Sequence, residues 1–227
     1  MTTEVIWYGH ATIGIKTAGK FILVDPYFNG NPMVNAKAED LSPDYILVTH
    51  GHGDHVGDTI SIARRTGATV ISNTEIAQWL VKKDIKAHGQ GVMGGYKHPF
   101  GYLKLTLALH GSVLPDGTYG GYPVGLLLTT LENQKIYLAG DTGLFGDMKL
   151  IGEEGIDLAM LPIGGNYTMD PDDALRAVKM ITPKLVVPIH YDTFDLIKQD
   201  PHAWAERVKA ETKSEVRVMK PGESITL

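Results

Sequence analysis

Short apolar runs rich in β-branched and aromatic residues open the chain, at 5–8, 12–16, 21–24 and 45–48, each bounded by Gly, Pro or Asn. Runs of this length between turn residues predict strands. From Val56 the spacing becomes helical, with Ile60, Ile62 and Ala63 facing one way and Gly67 ending the pattern. A strand at 69–72 follows, and Asn73 or Thr74 then caps a helix running to about Lys83. That helix has Ile76, Leu80 and Val81 on its apolar side and Glu75 matched to the dipole at its start. After a long glycine-rich connection the alternation repeats, with strands at 102–109, 124–130, 135–139, 158–161 and 185–189. Asp170-Pro171-Asp172 supplies a cap, a first-turn proline and a dipole-matched acid, so 171–181 is helical, and 201–210 reads as another helix. Strands with interleaved helices in two similar halves predict a layered α/β architecture with mixed sheets. Neither a linker nor a shift in composition divides it, so 1–227 is expected to be one domain. Strand order does not follow from the pattern.

Composition narrows the chemistry. Hydrophobic residues at 43% and charged residues at 21% exclude a disordered or fibrous chain. The formal charge of −5 argues against a broad electrostatic footprint for nucleic acid or anionic membrane. Apolar stretches fall far short of the ~18 residues of a membrane span, and residues 1–7 carry no targeting pattern, so the expectation is a soluble, cytoplasmic protein without a membrane partner. The absence of cysteine excludes disulfides, thiolate nucleophiles and sulfur-ligated metals. Any metal must be held by nitrogen and oxygen.

Three of the nine histidines fall within six positions, in Thr49-His50-Gly51-His52-Gly53-Asp54-His55. This segment follows an apolar strand, where open α/β sheets tend to place ligand crevices, and its glycines let the backbone turn so that several side chains converge. Neutral imidazole and carboxylate suit zinc, manganese, iron or nickel. A solvated histidine-rich turn would not explain the coincidence of spacing, glycines, acid and upstream strand. The loop cannot complete two coordination shells alone, and three further donors each follow an apolar strand: His110, Asp141 and His190. A Walker A loop, a G-x-S-x-G elbow and an H-E-x-x-H helix are all missing, which removes the anchors for nucleotide triphosphatase, serine hydrolase and zincin chemistry. The G-x-G-x-x-G match at 89–94 lacks both a clear preceding strand and a following helix, so it reads as a decoy.

T-H-x-H-x-D-H followed by isolated His, Asp and His resembles the metallo-β-lactamase fold superfamily across essentially the whole chain. Gly9-His10-Ala11-Thr12, Val24-Asp25-Pro26 and Pro162-Ile163-Gly164-Gly165-Asn166 are similar to segments of its metal-dependent hydrolases related to L-ascorbate-6-phosphate lactonase. The resemblance implies a four-layer αββα sandwich of two mixed β-sheets flanked by helices. It implies two divalent ions, zinc first with manganese, nickel or iron as the other choices. His50, His52 and His110 would hold one, Asp54, His55 and His190 the second, and Asp141 would bridge them. His10 would contact the substrate or leaving group, and Asp25 would orient a ligating histidine. The reaction expected is attack by metal-bound hydroxide on an ester, lactone or phosphoester-type substrate that is small and anionic, with Asp54 orienting water and moving its proton.

Tyr96, Tyr119 and Tyr122 on the connecting loops are the expected substrate contacts, with some contact from Gly164-Gly165-Asn166, while His88, His98 and His202 are read as surface or structural residues. Three other functions compete: a phosphodiesterase or nuclease with DNA or RNA as substrate, an iron-dependent oxidoreductase, and a noncatalytic metal-binding module. A homo-oligomer is left open.

Overall fold

The computed structural model describes residues 2–227. Its strands in chain order are β1 (Glu4–Gly9), β2 (Thr12–Thr17), β3 (Lys20–Val24), β4 (Tyr45–Leu47), β5 (Thr69–Asn73), β6 (Ala87–Gln90) and β7 (Gly95–His98) in the first half. The second half adds β8 (Gly101–Leu107), β9 (Val124–Thr130), β10 (Lys135–Leu138), β11 (Leu158–Pro162), β12 (Leu185–Ile189), β13 (Glu215–Val216) and β14 (Ser224–Thr226). Helices are α1 (Gly53–Val56), α2 (Thr59–Thr66), α3 (Thr74–Val81), α4 (Met148–Glu153), α5 (Pro171–Ile181) and α6 (Pro201–Glu211).

Strict alternation on the first strands has a structural purpose. Val5, Trp7, Ile22, Val24, Leu47 and Ile71 turn toward a core shared with Leu103, Leu105, Leu126 and Leu128 of the other sheet. Their neighbours Ile6, Tyr8, Leu23, Ile46, Val48 and Val70 turn the opposite way, onto Ile62 and Ala63 of α2 and Ile76, Trp79 and Leu80 of α3. Both faces of this sheet are therefore apolar, and a one-residue slip in register would exchange the two cores. The second sheet buries Met148 of α4, Leu175 and Val178 of α5 and Trp204 of α6. The result is a four-layer sandwich, helices on sheet on sheet on helices, as expected.

The two sheets share one plan. The first has the order β14-β1-β2-β3-β4-β5-β6 and the second β13-β12-β11-β10-β9-β8-β7. In the first, β14 to β3 pair antiparallel and β3 to β6 parallel. In the second, β7 to β10 pair antiparallel and β10 to β13 parallel. Two antiparallel steps restore direction, so β1 runs with β3 and β4, and β8 runs with β10, β11 and β12. Residues that follow these strands emerge at the same end of their sheet, which is how His10, Asp25, His50, His110, Asp141 and His190 come to share one edge.

Most expected elements are present, and α5 has the predicted bounds. The differences have local causes. The segment read as a helix from Val56 is two pieces, because Gly57 at φ 39° breaks the chain between α1 and α2. Two short strands, β6 and β7, lie in the glycine-rich connection, where only Ala87 in A-H-G-Q and Tyr96 in G-Y-K-H are hydrophobic; both are edge strands that need little apolar face. Although β6 runs into the G-x-G-x-x-G match and contains its first two residues, β7 takes the place of the helix that motif requires. The strand expected at 102–109 ends at Leu107, which leaves His110 on a loop.

Asn73 connects local structure to this loop system. Its Oδ1 accepts from Ile76 N at 2.9 Å as the cap of α3, while its Nδ2 donates to the carbonyls of Gly120 and Tyr122 at 2.7 and 2.9 Å. Asn73→Ala is expected to cost about 1 to 3 kcal/mol in urea unfolding, since a cap and two carbonyls, that of Gly120 buried, lose their partner. Proteolysis within 111–122 should accelerate; an unchanged unfolding midpoint would contradict this reading.

Candidate metal centre

The residues directly after β1, β3 and β12 hold left-handed backbone: His10 at φ 53°, Asp25 at φ 43° and His190 at φ 55°. Such conformations cost about 1 to 3 kcal/mol each and persist where surrounding contacts over-determine them. Those contacts are visible. The His10 carbonyl accepts from Trp7 Nε1 and from His190 N, both at 3.0 Å, which ties the edge of one sheet to the edge of the other. Gly140, at φ 59°, lies so close to Thr49 that a Cβ there would meet its side chain at 3.1 Å. The backbone entering Asp141 can thus pack directly beside the histidine loop.

Asp25 organises the centre. Its Oδ1 accepts from Thr49 N at 2.8 Å, and its Oδ2 accepts from Thr49 Oγ1 at 2.6 Å and from His55 Nδ1 at 2.8 Å. Because the Thr49 hydroxyl hydrogen goes to Asp25, its oxygen is free to accept from His50 Nδ1 at 3.0 Å. One buried carboxylate therefore fixes two imidazoles, with the Nε2 of each turned away from it. Orienting partners of this kind set both the tautomer and the ring direction of metal-binding histidines.

The remaining donors converge on those nitrogens. His50 Nε2 lies 3.0 Å from His52 Nδ1, which lies 3.2 Å from His110 Nε2. Asp141 stands between this trio and the other group, with Oδ1 3.3 Å from His55 Nε2 and Oδ2 3.0 Å from His190 Nε2. His10, Asp54, His55 and His190 form that second group, each offering an atom within 4.8 Å of the others. His10 Nε2 is 3.2 Å from Asp54 Oδ2, and its Nδ1 is 2.8 Å from Thr193 Oγ1. A carboxylate only accepts, so His10 donates from Nε2 and accepts at Nδ1 from the threonine hydroxyl.

These residues fit a metal better than they fit one another. His55 Nε2, Asp141 Oδ1 and both ring nitrogens of His190 are buried without a hydrogen-bond partner among the described residues. Buried polar atoms are rarely left so, and each costs about 1 to 3 kcal/mol. Tetrahedral nitrogen ligands at ~2.0 to 2.1 Å from zinc stand roughly 3.3 Å apart, close to the separations in the His50, His52 and His110 trio.

Electrostatics agrees with the geometry. Burial, reinforced by the charge of His55, pushes His50 well below the usual imidazole range, and burial lowers His110 as well. Both stay neutral with a lone pair to give. Burial and the neighbouring His190 bring His10 down to about 4. Burial opposes ionisation of Asp141, but His190 and His55 outweigh it and hold the carboxyl well below its ordinary value. Burial is likewise overcome at Asp54, chiefly by the His10 hydrogen bond and the charge of His55. His55 is raised well above its ordinary value, because Asp141 and Asp25 outweigh the effect of burial. A proton or a metal ion at its Nε2 would answer the same negative field.

An open cleft of about 330 Å³ leads to the centre, lined by His52, Asp54, His110, Asp141, Tyr167, His190 and Phe194. All seven donors named from sequence come together. His10 joins them but is fully buried beside Asp54 and does not line the cleft, so a direct substrate contact from it is not what the structure presents. Tyr96, Tyr119 and Tyr122 are exposed and also absent from the cleft wall. Tyr167 and Phe194 are the aromatic residues that line it; each sits just beyond a recognised segment, and no spacing signal marks either. His98 Nε2 donates to Gln90 Oε1 at 2.9 Å, with the ring stacked on Phe100, and His88 packs against Tyr96, while His202 lies exposed in the first turn of α6.

Comparison with known proteins gives the class. Residues 20–191 match the model of the β-lactamase superfamily domain, and the chain belongs to that superfamily as a metal-dependent hydrolase. More narrowly, it is a member of the UPF0173 metal-dependent hydrolases, being 48% identical over 230 residues to the UPF0173 metal-dependent hydrolase of Bacillus cytotoxicus, with 99% of this chain and 100% of that protein covered. Igni18, a metallo hydrolase from the archaeon Ignicoccus hospitalis, superposes with a TM-score of 0.92 at 38% identity, covering 100% of this chain and 99% of its own. The metallo-β-lactamase fold protein YhfI from Bacillus subtilis shares the fold, with a TM-score of 0.77 at 16% identity and full coverage of both chains.

Asp25→Asn is expected to lower metal affinity roughly 10- to 100-fold in competition with a chelator, the usual loss when an orienting partner is removed. Thr49→Val, which keeps the side-chain shape, should weaken binding in the same direction. Unaltered affinity in both folded variants would contradict the orienting role.

Proposed function

We propose that this hydrolase works with two divalent cations, zinc first and manganese, nickel or iron as the other choices. His50, His52 and His110 would hold one, Asp54, His55 and His190 the other, and Asp141 would be shared. The observation that carries the reading is the pair of donor groups joined by Asp141, in which His55 Nε2, Asp141 Oδ1 and both ring nitrogens of His190 are buried with no hydrogen-bond partner among the described residues. When bound, divalent cations supply charge that acidifies water and polarises the bond to be cleaved.

The protein's own residues supply the rest. Asp25 and Thr49 keep the His50 and His55 lone pairs aimed inward. Asp54, with its side chain 29% exposed and ionised beside His10, is the group in the cleft able to orient a water and accept its proton. His10 supports that role from behind, because its Nε2 hydrogen restrains Oδ2 of the same carboxylate. No serine or cysteine nucleophile lines the cleft.

The substrate class we propose is a small anionic ester, lactone or phosphoester. Two cations against the carboxylates of Asp54 and Asp141 leave the centre positive, although the chain as a whole carries −5. A cleft of about 330 Å³ has the size of small-molecule sites, which favours such a substrate over DNA or RNA. A core shared by the two sheets supports reading 1–227 as one domain, and the absence of cysteine is consistent with a cytoplasmic setting.

Elemental analysis of purified protein should give about two metals per chain. Hydrolysis across a panel of ester, lactone and phosphoester substrates should vanish on chelation and return on metal restoration. His50→Ala and His190→Ala should each lose metal. Full turnover by Asp54→Asn with both metals retained would remove the proton role, and unchanged metal content in the histidine variants would overturn the site.

A further inference from the structure

Only two residues in the cleft wall carry no donor to the metal centre, and both are aromatic. Tyr167 is 51% exposed and Phe194 is 39% exposed, so both present ring surface to whatever enters the cleft. They come from different strands, Tyr167 from the loop after β11 and Phe194 from the loop after β12.

Those loops are cross-braced. Gln199 donates its backbone N–H to Asp192 Oδ1 and its Nε2 hydrogen to the Gly164 carbonyl, both at 3.0 Å, so one residue ties the Phe194 loop to the Tyr167 loop. At Gly164 a Cβ would fall 2.3 Å from the His190 carbonyl, so the two loops pack at a distance only glycine allows. Further bonds fix each loop on its own. Met169 N donates to the Thr142 carbonyl at 3.0 Å, anchoring the Tyr167 turn next to Asp141. Thr193, which precedes Phe194, binds His10 Nδ1 at 2.8 Å, and the Phe194 ring meets His10 edge-on with centroids 5.6 Å apart. The aromatic pair is thus anchored to the same framework that carries Asp141, His190 and His10.

We infer that Tyr167 and Phe194 are specificity-determining residues, which select substrates bearing an apolar, preferably aromatic, group beside the anionic centre of the scissile bond. This rests on the metal reading above, since the cations would hold the anionic end. Aromatic rings at fixed positions reward a planar apolar group at little ordering cost, with each contact worth roughly threefold to tenfold in affinity.

Binding of phenylphosphonate and methylphosphonate to the metal-loaded protein, measured by calorimetry, separates the two contributions. Both probes offer the same anion and differ in the ring. The wild type should bind the phenyl compound about tenfold or more tightly. Phe194→Ala and Tyr167→Ala should each shrink that ratio with metal content and methylphosphonate affinity unchanged, and Tyr167→Phe should keep it. With matched aryl and methyl esters, the alanine variants should raise KM for the aryl ester alone. Equal binding of the two phosphonates by the wild type, or a ratio untouched in both alanine variants, would overturn the inference while leaving the metal reading intact. Failure of both phosphonates to bind would overturn the two together.

Discussion

The Asp25 carboxylate is the contact on which the centre depends. It is buried, it sits on strained backbone, and its two oxygens receive three hydrogens: two from Thr49 and one from His55. Through the Thr49 hydroxyl it also governs His50. His50 sits with His52 and His110, His55 with His10, Asp54 and His190, and both also face Asp141, so a single acid just after β3 fixes the orientation of one imidazole on each side of the centre. A carboxylate can do this because it only accepts; every neighbour must present a hydrogen, and the lone pairs are left pointing the other way.

The sandwich exists, in functional terms, to bring two strand edges to that acid. Each sheet joins antiparallel and parallel halves in the same arrangement, and the strands that deliver donors run the same way within each sheet. The first sheet contributes His10, Asp25 and the loop from His50 to His55; the second contributes His110, Asp141 and His190. The hydrogen bond from His190 N to the His10 carbonyl joins the two sets directly. Neither sheet holds a complete donor group around Asp141, so the centre is complete only where the two sheets meet.

Much of this was legible in the sequence for physical reasons. Short β-branched and aromatic runs between turn residues, together with the capped α5 helix, marked the layers, and histidines after apolar runs marked the edge. Asp25 could be named as an orienting acid because a metal-binding imidazole needs an acceptor for its other ring proton. Its hold on His50 could not, because that depends on a threonine hydroxyl whose hydrogen is committed elsewhere. β6 and β7 escaped notice because edge strands need little hydrophobic pattern. The cleft aromatics were misassigned for a related reason. Tyr96, Tyr119 and Tyr122 lie on glycine-rich or long connections that suggest a flap, whereas Tyr167 and Phe194 lie on short loops whose nearness follows from the parallel neighbours β11 and β12.

The central claim is that the converging side chains hold a pair of cations. Anomalous diffraction from crystals of the zinc-loaded protein, recorded on either side of the metal's absorption edge, tests it most directly. Two peaks are expected, one bounded by His50, His52 and His110, the other by Asp54, His55 and His190, with Asp141 reaching both. A single peak, or peaks away from these residues, would contradict it.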